Sequence, residues 1–203
     1  MGPRAEKGEA TRARLIEVAA ELFGDRGYDD VSIDEVLEST GVSKGALYHH
    51  FLSKEALFEA VYRMGEQKCL EEIAKAAMTE TDPLEMLRAG CQMWLDMAMD
   101  PHIQQVALID GPAVLGWERW REIDEEYAFG LTKQVMQQAA DAGAIRGENV
   151  DMTAHLALAM LGEAAMVIAK AADKKKAREE AGAAVDRMVD ALAVPDLAAR
   201  REA

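Results

Sequence analysis

The sequence is poor in cysteine, proline and aromatic residues, and these shortages exclude several classes of protein. Its 203 residues include two cysteines, five prolines and 5% aromatic side chains. Cys69 and Cys91 provide neither a disulfide framework nor a metal-binding spacing, so a reducing cytoplasm is the expected compartment. Half of the residues are hydrophobic, and Ala, Leu, Met and Glu dominate. Because these residues favour helices, we expect an all-α protein.

The motifs of common enzyme classes are missing as well. The chain contains no Gly-rich phosphate loop and no Ser nucleophile elbow, and its four histidines lack metal-ligand spacing. We therefore expect no catalytic residue, no metal site and no cofactor, and an enzyme remains only an alternative. The polar start MGPRAEKGEATRAR predicts no secretory leader. Residues 1–10 are predicted to form a flexible arm, in which Arg4 and Lys7 could reach phosphate.

Acidic residues are absent from one stretch of an otherwise acidic chain. The net charge is −14, with 37 Asp and Glu residues, yet none lies between Ser39 and Lys54. Residues 1–54 hold seven basic and ten acidic side chains, a net charge of −3, so most of the acidity lies farther along. An acid-free window in so acidic a chain predicts a surface that meets phosphates.

The segment VSIDEVLESTGVSKGALYHHFLSK, residues 31–54, has the pattern of two short helices joined by a tight turn. Apolar residues three and four apart predict a helix that begins near Ser32. Gly41 can adopt the left-handed conformation that ends it, and Ser43 can cap the next helix. Two short helices with a Gly-containing turn between them form a helix-turn-helix.

The second of these helices has an inward and an outward face. Leu47 and Phe51 are four residues apart and are assigned to the core, beside Ile33 and Val36. Steps of 100° per residue then place the outward side chains. The outward positions are Lys44, Gly45, Tyr48 and His49. Glycine inside a helix costs about 0.5–1 kcal/mol relative to alanine, which a close approach to DNA would explain.

The run GVSKGALYHHFLSKEALF, residues 41–58, resembles the DNA-binding signature of the TetR family of bacterial transcriptional regulators. The similarity extends back through residues 11–36. It implies a three-helix DNA-binding domain at residues 1–54, followed by a helical effector-binding and dimerisation domain at residues 55–203. The sequence departs from the family pattern at Asp34 and Glu35, where many relatives have a basic residue.

The resemblance also implies which residues contact DNA. Lys44, Gly45, Tyr48 and His49 become groove or backbone contacts, His50 a nearby support and Lys54 a phosphate contact. The predicted DNA-binding residues are Ser32, Ser43, Lys44, Gly45, Ala46, Tyr48, His49, His50 and Lys54. The alternative is that Tyr48 belongs to the core, the histidines are an ordinary polar pair and the lysines are solvated.

After the DNA-binding domain, helices are predicted at 83–99, 101–110, 116–142 and 151–172, followed by a last helix. Gly111-Pro112 is predicted to break the chain between the second and third of these. In the long helix, one inner face is predicted to carry Trp117, Trp120, Tyr127, Ala128, Leu131 and Val135, with Asp124 beside them.

The resemblance implies that the second domain senses a ligand. We expect a largely apolar pocket between these helices, suited to a bulky hydrophobic or aromatic effector. Its predicted lining is Met93, Trp94, Met97, Trp117, Trp120, Tyr127 and Met160, with Asp124 and His155 as polar groups. The alternative is that this aromatic and Met stripe is simply core.

The last two helices are predicted to form a dimer interface. Between Ala154 and Ala169 only His155 and Glu163 are polar, but this run is shorter than the roughly 20 residues that span a membrane, so no membrane partner is expected. The last helix is predicted to turn Val185, Met188 and Val189 inward. The pair has more apolar surface than one chain covers, which predicts a homodimer through a four-helix bundle.

Together these patterns and the resemblance to the TetR family predict a DNA-binding transcriptional repressor that a small, largely hydrophobic effector releases from a palindromic operator. The non-enzymatic alternatives are a transcriptional activator and a helical scaffold or ligand-binding module without affinity for DNA.

Overall fold

The computed structural model describes residues 3–194, with side chains from residue 6 onward. Within that range the only β pairing is an isolated bridge between Ile145 and Ala193, so the all-α prediction is confirmed. The helices are α1 Pro3–Arg26, α2 Ile33–Thr40, α3 Lys44–His50, α4 Lys54–Ala77, α5 Pro83–Met97, α6 Pro101–Ile103, α7 Gly111–Leu115, α8 Trp117–Asp124, α9 Gly130–Asp141, α10 Val150–Lys170 and α11 Lys174–Leu192. Two π-helical segments, Gln104–Asp110 and Glu125–Phe129, join α6 to α7 and α8 to α9.

The predicted flexible arm is wrong from Pro3 onward. Residues 3–10 belong to α1, because proline is well tolerated in the first turn of a helix and the following residues favour helix. Lys7 is exposed on this helix. Met1, Gly2, the side chain of Arg4 and Pro195, which follows the last helix in the sequence, lie outside the described part.

The helix-turn-helix forms through local capping, as predicted. The Ser32 hydroxyl accepts a hydrogen bond from the backbone amide of Glu35 at 3.2 Å, and the Glu35 carboxylate accepts one from the Ser32 amide at 2.8 Å. Gly41 ends α2 with φ 68°, in the left-handed region, and Ser43 caps α3 by accepting from the Ala46 amide at 3.3 Å. These caps satisfy amides at both helix starts.

The chain divides into two compact units. The first contains the described residues up to Lys68 together with Asp100–Ile123, and the second contains Cys69–Met99 and the described residues from Asp124 onward. The division therefore falls inside α4, between Lys68 and Cys69. Segment 100–123 belongs to the unit that holds the helix-turn-helix, although it is far from that motif in the sequence.

An aromatic and aliphatic core holds the first unit together. Phe23 of α1 meets Phe58 of α4 edge to face, with ring centroids 5.5 Å apart. Leu47 is fully buried and Phe51 is 4% exposed, as predicted, while Ile33 is half-buried. The fully buried side chains around them include Leu15, Val36 and Leu57. Burial of these side chains fixes which face of α3 looks outward.

The segment after α5 differs from its prediction. Helical structure continues through Gly111-Pro112, because Pro112 falls in the first turn of α7, where its missing amide hydrogen is tolerated. The interruption comes instead at Gly116, whose φ of 75° and ψ of 156° suit only glycine. Asp110, just before α7, accepts a hydrogen bond from the Tyr28 amide at 2.7 Å and ties this segment to the end of α1.

The predicted long helix is present with an irregularity in its middle. The chain is helical from Trp117 to Asp141, but residues 125–129 form a π-helical segment. A π segment adds a residue to the turn, so 100° steps no longer relate the two ends of the helix. The assignment of Trp117 to the inner face is also wrong, because its side chain is 66% exposed.

The second unit packs α5, α9, α10 and α11 around an aliphatic core. Val185 and Val189 are buried as predicted, but Met188 is 49% exposed, so its inward assignment is wrong. Among the described residues, α10 is the one helix long and apolar enough to cross a membrane by length and composition. Its buried side chains, such as Ile168, instead join the core of this unit.

Polar contacts fix α5 against α11. Arg88 donates hydrogen bonds to the carboxylates of Asp186, at 3.3 Å, and Asp190, at 2.6 Å. Arg178 donates to Asp96 at 2.8 Å. Burial raises the pKa of the Cys91 thiol to about 12, so this cysteine is an inert core residue.

Candidate nucleic-acid interface

The outward face of α3 is open, as the 100° steps predicted. The Lys44 side chain is 63% exposed, Tyr48 is 41% exposed, and His49 is also exposed. A Cβ added at Gly45 would meet no atom within 4 Å. The helix therefore presents a cation, a phenol, an imidazole and bare backbone side by side. These groups can donate hydrogen bonds to phosphates and to base edges.

Other predicted contact residues have structural partners. The Ser32 and Ser43 hydroxyls accept the capping hydrogen bonds of α2 and α3. Ala46 supplies the amide that Ser43 caps and is half-buried. The His50 ring lies 5.4 Å from that of His49, so His50 supports the outward face from the side.

Lys54 is held at the first turn of α4 by an aromatic ring. Its ammonium lies 4.0 Å from the centroid of Tyr28, a distance suited to a cation–π contact. Tyr28 in turn packs against Phe23 and Phe58, so the lysine sits beside the core of the first unit. Burial raises the pKa of the Tyr28 hydroxyl, and the charges of Glu55 and Asp29 raise it further.

The two acidic residues of α2 have separate roles. Glu35 accepts hydrogen bonds from the backbone and hydroxyl of Ser32 and from Arg26, and these contacts lower the pKa of its carboxyl to about 2. It therefore serves the start of its own helix. Asp34 points elsewhere: its carboxylate accepts a hydrogen bond from the Lys44 ammonium at 3.3 Å, across the two helices of the motif.

Two features of this surface were not predicted from the sequence. The Asp34–Lys44 pair depends on how α2 crosses α3, and residues ten positions apart give no local signal. The Arg12 guanidinium lies 5.3 Å from the Phe51 ring centroid and brings a further cation from α1 to the end of α3. Its only sequence signal is the basic residue itself.

The nine predicted effector-binding residues are divided between the two units. Seven lie in the second unit: Met93, Trp94, Met97, Asp124, Tyr127, His155 and Met160. Of these, the Trp94 indole donates to the Leu161 carbonyl at 3.2 Å. The His155 ring stacks on Phe129, with centroids 4.2 Å apart.

Trp117 and Trp120 belong instead to the first unit, where their rings lie 5.1 Å apart. Trp120 packs over Gly111, since a Cβ there would come within 3.0 Å of the indole. The buried Nε1 of Trp120 has no hydrogen-bond partner among the described atoms. The predicted set of nine is therefore not a single cluster within either unit.

Two family descriptions match the chain. "Bacterial regulatory proteins, tetR family" matches residues 15–61, and "Tetracyclin repressor-like, C-terminal domain" matches residues 84–192, more than half of the chain. The protein belongs to the TetR family. A solved TetR-family transcriptional regulator from Pectobacterium atrosepticum is similar over nearly its whole length, with 30% identity, a TM-score of 0.84, and 96% of this chain and 99% of that chain covered.

Curated TetR relatives give the same assignment. The Transposon Tn10 TetC protein of Escherichia coli is 26% identical over 74% of this chain and 76% of its own length. The transcriptional activator FasR of Mycolicibacterium smegmatis is 37% identical, but over 46% of this chain and 41% of its own length. The resemblance seen in residues 41–58 is thus confirmed, and the chain is a TetR-family DNA-binding transcriptional regulator.

Proposed function

We propose that this TetR-family protein is a dimeric repressor that a small, largely hydrophobic effector releases from a palindromic operator. The observation that carries the proposal is the outward face of α3. Lys44, Tyr48 and His49 are exposed beside the bare backbone of Gly45, on a stretch without acidic residues. Such a face can enter a major groove and approach phosphates closely.

Each residue of the outward face has a proposed task. Lys44 reads base edges, with guanine as its preferred partner. Tyr48 and His49 donate to phosphates and so fix the position of the helix along the duplex. His50 supports His49, and the N-caps Ser32 and Ser43, with Ala46 in the first turn of α3, place the two helix starts near the DNA backbone. The ammonium of Lys54 can reach a phosphate by leaving the ring of Tyr28.

The proposed homodimer forms through α10 and α11. Met152, Leu156 and Val167 are 59%, 64% and 53% exposed on α10, and Met188 of α11 is 49% exposed. Exposed apolar side chains on both of the last two helices are a surface that a second copy can bury. Small residues on α10 allow a close approach, and a Cβ added at Gly162 would meet no atom of another element within 4 Å.

A dimer of this kind presents two recognition helices to a palindrome. Half-sites about 34 Å apart fall on successive turns of the same groove. An effector that favours a conformation with another spacing weakens binding to the operator. A tenfold loss of affinity requires only about 1.4 kcal/mol of differential effector binding between the two conformations.

The second unit offers the chemistry for the effector. Trp94, Met93, Met97 and Met160 are half-buried, and indoles and thioethers suit an aromatic or bulky apolar molecule. Tyr127 lies in the π-helical segment Glu125–Phe129, a feature that is frequent at functional sites. In this proposal Asp124 and His155 orient the ligand within the second unit.

The proposed functional domains have the bounds expected from the sequence. Residues 1–54 form the DNA-binding domain, and residues 55–203 bind the effector and dimerise. A regulator that acts on the chromosome in this way works in the cytoplasm, without a membrane partner, a metal or a catalytic residue.

Transcription in vitro tests the direction of regulation. The template is a promoter overlapped by a site that the protein itself selects from random DNA, with a scrambled site as the control template. We expect the purified dimer to lower transcription from the first template alone. Increased transcription would contradict repression and indicate an activator, the role that the name of the relative FasR gives.

Native mass spectrometry of protein purified from its host tests the effector. We expect a small apolar molecule bound to the dimer, and we expect its addition to weaken operator binding at least tenfold. A protein that repeatedly carries no molecule and whose operator affinity no hydrophobic compound changes would contradict the proposed release mechanism.

A further inference from the structure

Asp34 brings a negative charge to the surface that is proposed to meet DNA. Its side chain is 79% exposed, and its carboxylate lies 3.3 Å from the ammonium of Lys44, which is 63% exposed. The pair joins the first turn of α2 to the first residue of α3. A carboxylate at this place repels phosphates, so its presence on a DNA-binding surface requires an explanation.

Stability explains a carboxylate in the first turn of α2, where it interacts favourably with the helix dipole, but it does not explain the pairing with Lys44. An ion pair between two exposed side chains contributes little to folding, because water already solvates both charges and salt screens them. Capping of α2 does not depend on Asp34 either, since Ser32 and Glu35 form the capping box. The pair is therefore free to serve recognition.

We propose that Asp34 is a specificity-determining residue, which reads one G·C base pair of the operator together with Lys44. This inference rests on the proposed function. In the major groove the O6 acceptor of guanine lies beside the N4 amino donor of cytosine. An ammonium and a carboxylate at 3.3 Å present the complementary donor and acceptor at a matching separation. Lys44 binds guanine, and Asp34 accepts from the cytosine amino group.

The same pair reduces binding to other sequences. Non-specific binding depends almost entirely on cations that neutralise phosphates. Lys44 can offer its charge to a phosphate only beside the opposing charge of Asp34, so the pair contributes little to non-specific affinity. At a suitable G·C pair the Lys44 ammonium donates to guanine and the Asp34 carboxylate accepts from cytosine. Asp34 therefore increases the ratio of operator affinity to non-specific affinity.

Fluorescence anisotropy with single base-pair substitutions tests this inference. The wild-type dimer first selects its operator from random DNA. The Lys44→Ala variant is then tested against operators with single substitutions, and the position at which this variant no longer distinguishes the base pairs is the one that Lys44 reads. Affinities for the four possible pairs at that position, and for a duplex without the operator, are measured for wild type, Asp34→Asn and Asp34→Ala. Glu21→Gln is the charge-matched control, because Glu21 is an exposed acidic residue of α1.

We expect both Asp34 variants to bind non-specific DNA more tightly and to lose about tenfold in discrimination at that G·C pair. Glu21→Gln should leave the discrimination within twofold of wild type. Combining Asp34→Ala with Lys44→Ala should cost no more discrimination than Lys44→Ala alone, because the two side chains act together.

Asp34 variants that discriminate as wild type does, or that behave like Glu21→Gln, would overturn the inference and leave the proposed function intact. Failure of the proposed function is seen separately: wild type would then select no sequence at all. Unchanged thermal unfolding of the Asp34 variants verifies that the pair acts on DNA rather than on the fold.

Discussion

The outward face of α3 and the exposed face of α10 are both open to solvent, but their chemistry is opposite. The first presents Lys44, Tyr48 and His49, without an acidic residue between Ser39 and Lys54. The second presents Met152, Leu156 and Val167. An exposed polar face can bind a charged polymer, whereas an exposed apolar face is typical of a surface that another protein covers. The proposed partners differ accordingly: DNA for the face of α3 and a second copy for the face of α10.

A charge introduced into the exposed apolar face of α10 should have the largest effect on operator affinity. Leu156→Arg places a charge in the proposed interface, so we expect monomers and a loss of at least about 100-fold in operator affinity, since linked half-site binding is lost. Sedimentation and anisotropy measure the two effects. Met78→Arg is the matched control, because Met78 is exposed but lies outside α10 and α11. A Leu156→Arg dimer of wild-type affinity would remove this face from the account.

Tyr48→Ala tests the polar face with the dimer intact. We expect operator retention in a gel shift to be lost, with a drop in affinity of about 10- to 100-fold, because ring and hydroxyl no longer position the helix on the backbone. Tyr48→Phe separates the two contributions, since it removes only the phosphate donor. Undiminished binding by Tyr48→Ala would show that the outward face has been assigned to the wrong residues.

Lys44→Ala should have a smaller and more selective effect. Loss of a base contact costs about 1–3 kcal/mol and relaxes sequence preference at one position. A titration with salt distinguishes this from a phosphate contact, whose removal lowers affinity for all sequences and reduces the salt slope by about one. The second pattern would assign Lys44 to the backbone and contradict its role as a base reader.

Glu35→Gln should have the smallest effect and should change only the stability of the fold, not the affinity for DNA. The pKa of Glu35 is lowered from 4.5 to about 2 in the folded protein, so its charge stabilises the fold above pH 4.5. That contribution is lost as the pH falls from 4.5 towards 2. Urea midpoints at pH 5 and pH 3 should therefore differ less for Glu35→Gln than for wild type. Glu38→Gln, at an exposed position of the same helix, is the control, and equal pH dependence in both variants would contradict the assignment.

The helix-turn-helix was predictable because its signals are local. Ser32 and Ser43 act within three residues, Gly41 acts on its own helix, and Leu47 and Phe51 follow from helical spacing. The start of α1 was mispredicted because charged residues after Pro3 resemble an arm and also favour helix. The break expected at Gly111-Pro112 was wrong because proline is tolerated in a first turn.

Features that depend on tertiary structure could not be predicted in the same way. The π-helical segment Glu125–Phe129 shifts the helical phase between the two ends of the long helix, and Trp117, at its first residue, is exposed rather than inward. The pairing of Asp34 with Lys44 depends on the crossing of two helices. The effector site was inferred from residue types, and only their division between two units became visible in the structure.

Selection of binding sites from random duplex DNA by the wild-type dimer tests the central claim most directly. The account predicts a palindrome with half-sites about 34 Å apart, bound less tightly as salt increases. Recovery of sequences no different from the starting pool, by a dimer of verified purity, would contradict it.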